Sequence, residues 1–122
     1  MAKVLIIDDD PTTRNVLKRM LEDGGQHVAL TASDGAQGLV AAAEGSPDVI
    51  LLDIMMPGMN GLQVLQKLGE GQETKFIPVI MLTGVVDPEV KGEALRGLAN
   101  RYLLKPVPRE TLLTAIEKTL NP

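Results

Sequence analysis

The chain has no cysteine and no tryptophan, and its 122 residues include only one phenylalanine and one tyrosine. Without cysteine there are neither disulfides nor thiolate metal sites. Without stacking aromatics there is no platform for single-stranded nucleic acid. Acid also outnumbers base, 16 Asp plus Glu against 12 Lys plus Arg for a net charge of −4, so the chain does not lean basic as proteins that follow phosphates usually do. Direct nucleic-acid binding is therefore not expected. Long apolar runs are missing too. The opening stretch MAKVLIIDDD is poor in base, and its short apolar run stops at three aspartates. It reads as neither a signal peptide nor a membrane span, and the expected location is the cytoplasm.

What is present is aliphatic. The apolar fraction is 44%, and a chain of this length can bury roughly two-thirds of its unfolded surface. Residues 1–122 are read as one domain with no output domain attached. Five apolar runs recur: Val4–Ile7, His27–Thr31, Val49–Leu52, Val79–Leu82 and Tyr102–Leu104. The first, third and fourth are almost unbroken, as in strands covered on both faces.

Between the runs lie stretches of helical spacing. Val16, Leu17, Met20 and Leu21 form one stripe, and Ala36, Leu39, Val40 and Ala43 a second. Leu62, Leu65 and Leu68 form a third, and Leu112, Leu113, Ile116 and Leu120 the last. Asp10-Pro11 and Asp87-Pro88 predict capped helix starts. Asp34 with Gln37, and Asn60 with Gln63, have capping-box spacing. The fourth helix is weakened by Gly92 and Gly97, the last helix lacks a side-chain cap, and Gly69–Glu73 reads as a polar surface loop. Strand and helix thus alternate five times, which predicts an α/β fold: a doubly wound five-stranded parallel sheet with helices on both faces.

In such sheets ligands bind beyond the carboxyl ends of the strands. Here those ends carry Asp8-Asp9-Asp10, Asp53, Thr83-Gly84 and Lys105-Pro106. Clustered carboxylates repel one another, and a divalent cation relieves the conflict. Oxygen ligands without His or Cys suit Mg²⁺. An aspartate can act as nucleophile toward a phosphoryl donor, and a cation, a lysine and a hydroxyl can neutralise the transferred group. Taken singly, each of these residues fits a cap, a turn or a solvated charge; their convergence at one sheet edge is what points to chemistry.

The segments VLIIDDDP, VILLDIMMPGMNG, VIMLTG and YLLKP, in that order, resemble the landmarks of the response-regulator receiver domain of two-component signalling. The resemblance spans essentially the whole chain and implies the flavodoxin-like strand order 2-1-3-4-5. It implies that Asp53 is the phosphoacceptor, fed by a histidine kinase or phosphotransfer protein. Asp8, Asp9, Asp53 and the Met55 main-chain carbonyl would hold Mg²⁺, with Asp9 a more direct ligand than Asp8. Thr83 and Lys105 would take phosphoryl oxygens. Tyr102 would be the aromatic that moves with Thr83, and the peptide bond before Pro106 would be cis. The surface of the fourth helix, fifth strand and fifth helix would carry the signal to a protein target or output domain.

Two side chains depart from more polar versions of this site. Met55 and Val85, each two residues past Asp53 and Thr83, occupy positions that border the path of attacking water in the family. Slow self-dephosphorylation is the expectation. Arg101, beside Tyr102, stands where an acidic or polar residue is common. Another reading is available, because Asp8-Asp9-Asp10-Pro11-Thr12 also fits DxDxT, which opens haloacid-dehalogenase-like phosphatases. Asp8 would then be the nucleophile and Asp10 the acid/base, with Thr83 and Lys105 on the phosphate. That reading finds only Glu110 and Glu117 after Lys105 as a second acidic pair and leaves the Asp53 segment unexplained. A third reading is a receiver that binds partners without being phosphorylated, against which all five polar site residues are present. A flavin site at the same edge is weaker still, given the carboxylates and the lack of stacking aromatics.

Overall fold

Five strands alternate with five helices in the computed structural model, which describes residues Met1–Pro122. The strands are β1 (Ala2–Ile7), β2 (His27–Ala32), β3 (Val49–Leu52), β4 (Val79–Thr83) and β5 (Arg101–Leu104). The helices are α1 (Pro11–Glu22), α2 (Gly35–Gly45), α3 (Gly61–Glu70), α4 (Pro88–Arg96) and α5 (Arg109–Leu120). All strand pairs are parallel, in the order β2-β1-β3-β4-β5.

The unbroken apolar runs follow from this layering. Successive residues of a strand point to opposite faces, and here both faces are covered. Leu5, Ile7, Ile50, Leu52 and Met81 pack toward α2, α3 and α4, against Ala42, Val64, Leu65, Leu68 and Ala94. Val4, Ile6, Val49, Leu51, Ile80 and Leu82 pack on the other side, against Leu17 and Leu21 of α1 and Leu112 and Ile116 of α5. Each fully buried Leu or Ile contributes about 1.5–3 kcal/mol relative to exposure.

The second helical stripe is rotated from its predicted face. In α2 the buried residues are Gly35, Gly38 and Ala42, while Val40 is 56% exposed. The cause is proximity: a Cβ on Gly38 would lie 2.6 Å from Ile7 Cδ1, so the inner face of α2 accepts only the smallest residues. The predicted loop at Gly69–Glu73 is on the surface, but its first two residues complete α3. Gly97 lies outside α4 as its C-cap, leaving Gly92 as the interior glycine.

Most caps form as the sequence predicts. Asp10 and Asp87 accept the N–H groups of Thr12 and Glu89 at 3.1 and 2.9 Å, and Asn60 and Gln63 form a reciprocal capping box. Asp34 accepts the Gln37 N–H at 2.8 Å, but the Gln37 side chain bonds Ser33 instead of closing the box. The uncapped α5 is anchored differently: Arg109 donates to the Met20 and Asp23 carbonyls at 3.0 and 2.9 Å, tying its start to the end of α1. No helix is long and apolar enough to cross a membrane.

Leu98, in the turn after α4, adopts φ 74° and is 82% exposed. A non-glycine residue there crowds its Cβ against backbone at a cost of about 1–2 kcal/mol, with little burial to offset it. Leu98→Gly is therefore expected to stabilise the fold by roughly 0.5–1 kcal/mol after the greater unfolded-state freedom of glycine is subtracted. A lower midpoint of urea unfolding would refute this.

Candidate functional site

The strand ends converge because each ladder runs one residue beyond the strand proper. Asp8 N–H donates to Ala32 O at 3.2 Å, Asp53 N–H to Ile7 O at 3.0 Å, and Lys105 N–H to Thr83 O at 2.8 Å. Asp8, Asp53 and Thr83 are buried, with 2, 6 and 0% exposure, whereas Asp9 lies at the surface. Carboxylate oxygens of Asp8, Asp9 and Asp53 lie within 4.8 Å of one another.

Lys105 Nζ bridges two of these acids, 2.6 Å from Asp8 Oδ2 and 2.9 Å from Asp53 Oδ2. Burial pushes the Asp8 carboxyl upward, against the pull of Lys105 and the Asp10 N–H. The Lys105 ammonium is disfavoured by burial but is raised overall by its bonds to Asp8 and Asp53. The two directions are compatible: Lys105 is held charged by two carboxylates, while the Asp8 anion is disfavoured mainly by burial. By count, one ammonium stands beside three carboxylates. A compact, oxygen-only and under-neutralised donor set of this kind fits a hard divalent cation.

Around this cluster the backbone leaves selected groups free. Ile54 O accepts both Met56 and Gly61 N–H, at 3.1 and 2.9 Å, while the neighbouring Met55 carbonyl takes no bond within the chain. The Met55 side chain is 69% exposed. Thr83 Oγ accepts the Val85 N–H at 3.3 Å, which leaves its hydroxyl proton to donate. Tyr102 OH donates to Val85 O at 2.7 Å. Burial, with the charges of Asp87 and Asp53, pushes the Tyr102 phenol up, so it stays a donor. The Lys105–Pro106 peptide bond is cis.

Other candidates fall elsewhere. Asp10 turns to the start of α1, where the Thr13 hydroxyl and the Thr12 N–H hold its carboxyl below the usual range. Glu110 and Glu117 lie exposed on α5 and outside the acidic cluster. Arg101 is half-buried, its Nε donating to Thr119 Oγ at 2.8 Å, so it braces β5 on α5.

Two residues at the site were not among the sequence candidates. Gly61 opens α3 where a Cβ would lie 2.1 Å from the Asp53 carbonyl oxygen. It closes the VILLDIMMPGMNG segment, but beyond that its signal was a glycine at a helix's first position, where alanine propagates better. Arg14 reaches from α1 to the Asp8 carbonyl at 2.8 Å; on an amphipathic helix it looks like any solvated charge.

The response regulator receiver domain family matches residues 4–117. The chain belongs to that family. Protein PilH of Pseudomonas aeruginosa is 44% identical over 120 residues, which cover 98% of each chain. Chemotaxis protein CheY-3 of Vibrio cholerae is 34% identical over 95% of this chain and 89% of its own. The crystal structure of V. cholerae chemotaxis protein CheY4 matches with a TM-score of 0.91 at 37% identity, covering 98% of this chain and 99% of that one. Membership in this family fits phosphoacceptor signalling in two-component systems, and the acidic cluster lies beyond the carboxyl ends of the strands, where ligands of open parallel sheets bind.

Proposed function

We propose that Asp53 accepts a phosphoryl group from a histidine kinase or phosphotransfer protein, and that a protein partner or output domain reads the change. The observation that carries this is the Asp8–Asp9–Asp53 cluster bridged by Lys105. In the transfer, a bond forms from an Asp53 carboxylate oxygen to phosphorus while the bond from phosphorus to the donor's imidazole nitrogen breaks. The leaving imidazole takes up a proton. Lys105 leaves its shared position to pair with one phosphoryl oxygen, and the Thr83 hydroxyl donates to another.

Asp8, Asp9, Asp53 and the Met55 carbonyl are the groups that would hold Mg²⁺. Bound there, the ion neutralises charge on the reacting oxygens.

The route outward is short. When the Thr83 hydroxyl turns to the phosphoryl group, the Val85 N–H loses its acceptor, and Val85 O holds the Tyr102 hydroxyl. Tyr102 lies on β5 beside α4, and α4 buries only Ala94, so few contacts resist its displacement. The α4–β5–α5 surface is thus the readout face, in a protein working in the cytoplasm.

A small-molecule acyl phosphate with Mg²⁺ is expected to phosphorylate the chain at a single residue, trapped by borohydride reduction and located on Asp53 by peptide mass spectrometry. Beryllofluoride should shift the amides of Tyr102 and Lys91–Gly97. Trapping on Asp8 would favour the phosphatase reading instead, and unmoved amides would end the switch model.

A further inference from the structure

The chain's two ion pairs both belong to Lys105. Arg14, whose guanidinium reaches Asp8, takes none of the carboxylates of Asp8, Asp9 and Asp53 as a partner. Its Nη1 donates instead to a neutral group, the Asp8 main-chain carbonyl, at 2.8 Å, and its side chain is half-buried in doing so. With this bond every polar atom of Asp8 is engaged. Its N–H donates to Ala32 O, its Oδ1 accepts the Asp10 N–H at 2.9 Å, and its Oδ2 accepts Lys105.

The carbonyl held by Arg14 belongs to the Asp8–Asp9 peptide, so its orientation sets where Asp9 leaves the strand end. Asp9 is itself exposed, with no hydrogen bond of its own side chain to fix it among the bonds that hold Asp8 and Asp10. Yet its carboxylate stands within 4.8 Å of Asp8 and Asp53. The rigidity that keeps it there comes from the backbone.

We propose that Arg14 is a positioning residue: by fixing the Asp8–Asp9 peptide it holds the Asp9 carboxylate on the cluster and so sets the affinity for a divalent cation. The inference rests on reading the cluster as a Mg²⁺ site. Two effects of Arg14 oppose each other. Its positive charge disfavours a cation nearby, while its hydrogen bond preorganises a ligand. Groups that orient metal ligands typically change affinity 10–100-fold, whereas the charge effect is screened by salt, with a Debye length of about 3 Å at 1 M.

The test is Mg²⁺ titration of the full chain, followed by amide shifts of residues 8–10 and 53–55, at low and high salt. Arg14→Met, which keeps the aliphatic stem, is expected to weaken Mg²⁺ binding about tenfold, and the loss should grow at high salt. Arg14→Lys should recover part of it, since an ammonium can still reach a carbonyl. Thermal unfolding of the variants, compared with Asp9→Asn, separates a loosened site from a loosened fold. Unchanged or tighter binding in Arg14→Met overturns the proposal. If that variant does not fold, Arg14→Gln, whose shorter side chain carries no charge, replaces it, and wild-type or tighter Mg²⁺ binding by Arg14→Gln at high salt overturns the proposal. If the wild type binds no Mg²⁺, or Asp9→Asn binds as well as wild type, the reading of the cluster has failed and this inference falls with it.

Discussion

Val85→Glu, and separately Met55→Asn, are expected to shorten the life of the phosphoryl group on Asp53 by about ten- to a hundredfold. Hydrolysis of an acyl phosphate needs a water in line with the phosphorus–oxygen bond, and a positioned side chain that orients or deprotonates water contributes typically 10²–10⁴-fold. Orientation without proton transfer falls short of that range, at about ten- to a hundredfold. In this chain neither flanking side chain can orient water. Met55 is 69% exposed and carries only a thioether, and Val85 is half-buried between Thr83 and Tyr102 through its own backbone. Those two bonds use the Val85 N–H and carbonyl, so Val85→Glu leaves them intact, and Met55 is largely exposed, so the fold should tolerate both substitutions. The measurement is decay of phosphorylated protein after the donor is removed, with Mg²⁺ constant. Decay at the wild-type rate in both variants would show that the apolar pair does not limit water.

The residues that meet in the acidic cluster were legible because strand ends are legible. A run such as Val49–Leu52 stops where a charged residue follows, and in a parallel sheet all such stops lie on one edge. Periodicity served less well where helix and sheet approach most closely. In α2 the apolar stripe at Ala36, Leu39, Val40 and Ala43 suggested the inner face, but large side chains cannot sit 2.6 Å from Ile7, and Gly35, Gly38 and Ala42 face the core. Glycine has no side chain to mark a face as apolar or polar, so an inner face built from it leaves no sign in the pattern. The half-formed box at Asp34 failed for a local reason: Ser33 offers the Gln37 side chain both an N–H and a hydroxyl. Arg14 was hidden for a third reason, since its partner is a backbone carbonyl and no sequence pattern records which carbonyl a long side chain will find.

Gly61→Ala is expected to disable the domain although it adds one methyl group and no charge. The added methyl carbon would lie 2.1 Å from Asp53 O, 2.7 Å from Ile54 Cα and 2.8 Å from Asp53 C. All three are backbone atoms of the segment that carries Asp53, so no flexible side chain can yield. The contact exists because the Gly61 N–H donates to Ile54 O at 2.9 Å, seating the start of α3 directly on the end of β3. To accommodate Ala, either α3 withdraws and this bond is lost, or the Asp53–Ile54 peptide moves. Overpacking of this kind costs about 1–3 kcal/mol, and the lost bond about 1 kcal/mol more. The sum is a large part of the roughly 5–15 kcal/mol that usually holds a domain. If the fold survives, a displacement near 1 Å at a reacting group can cost on the order of 10²-fold in rate. Asp53 should then be phosphorylated far more slowly, even though every residue of the acidic cluster is present. Urea unfolding gives the first quantity, and the initial rate of phosphorylation by a small-molecule donor gives the second. A variant with wild-type stability and wild-type rate would mean that α3 is not what holds Asp53 in place.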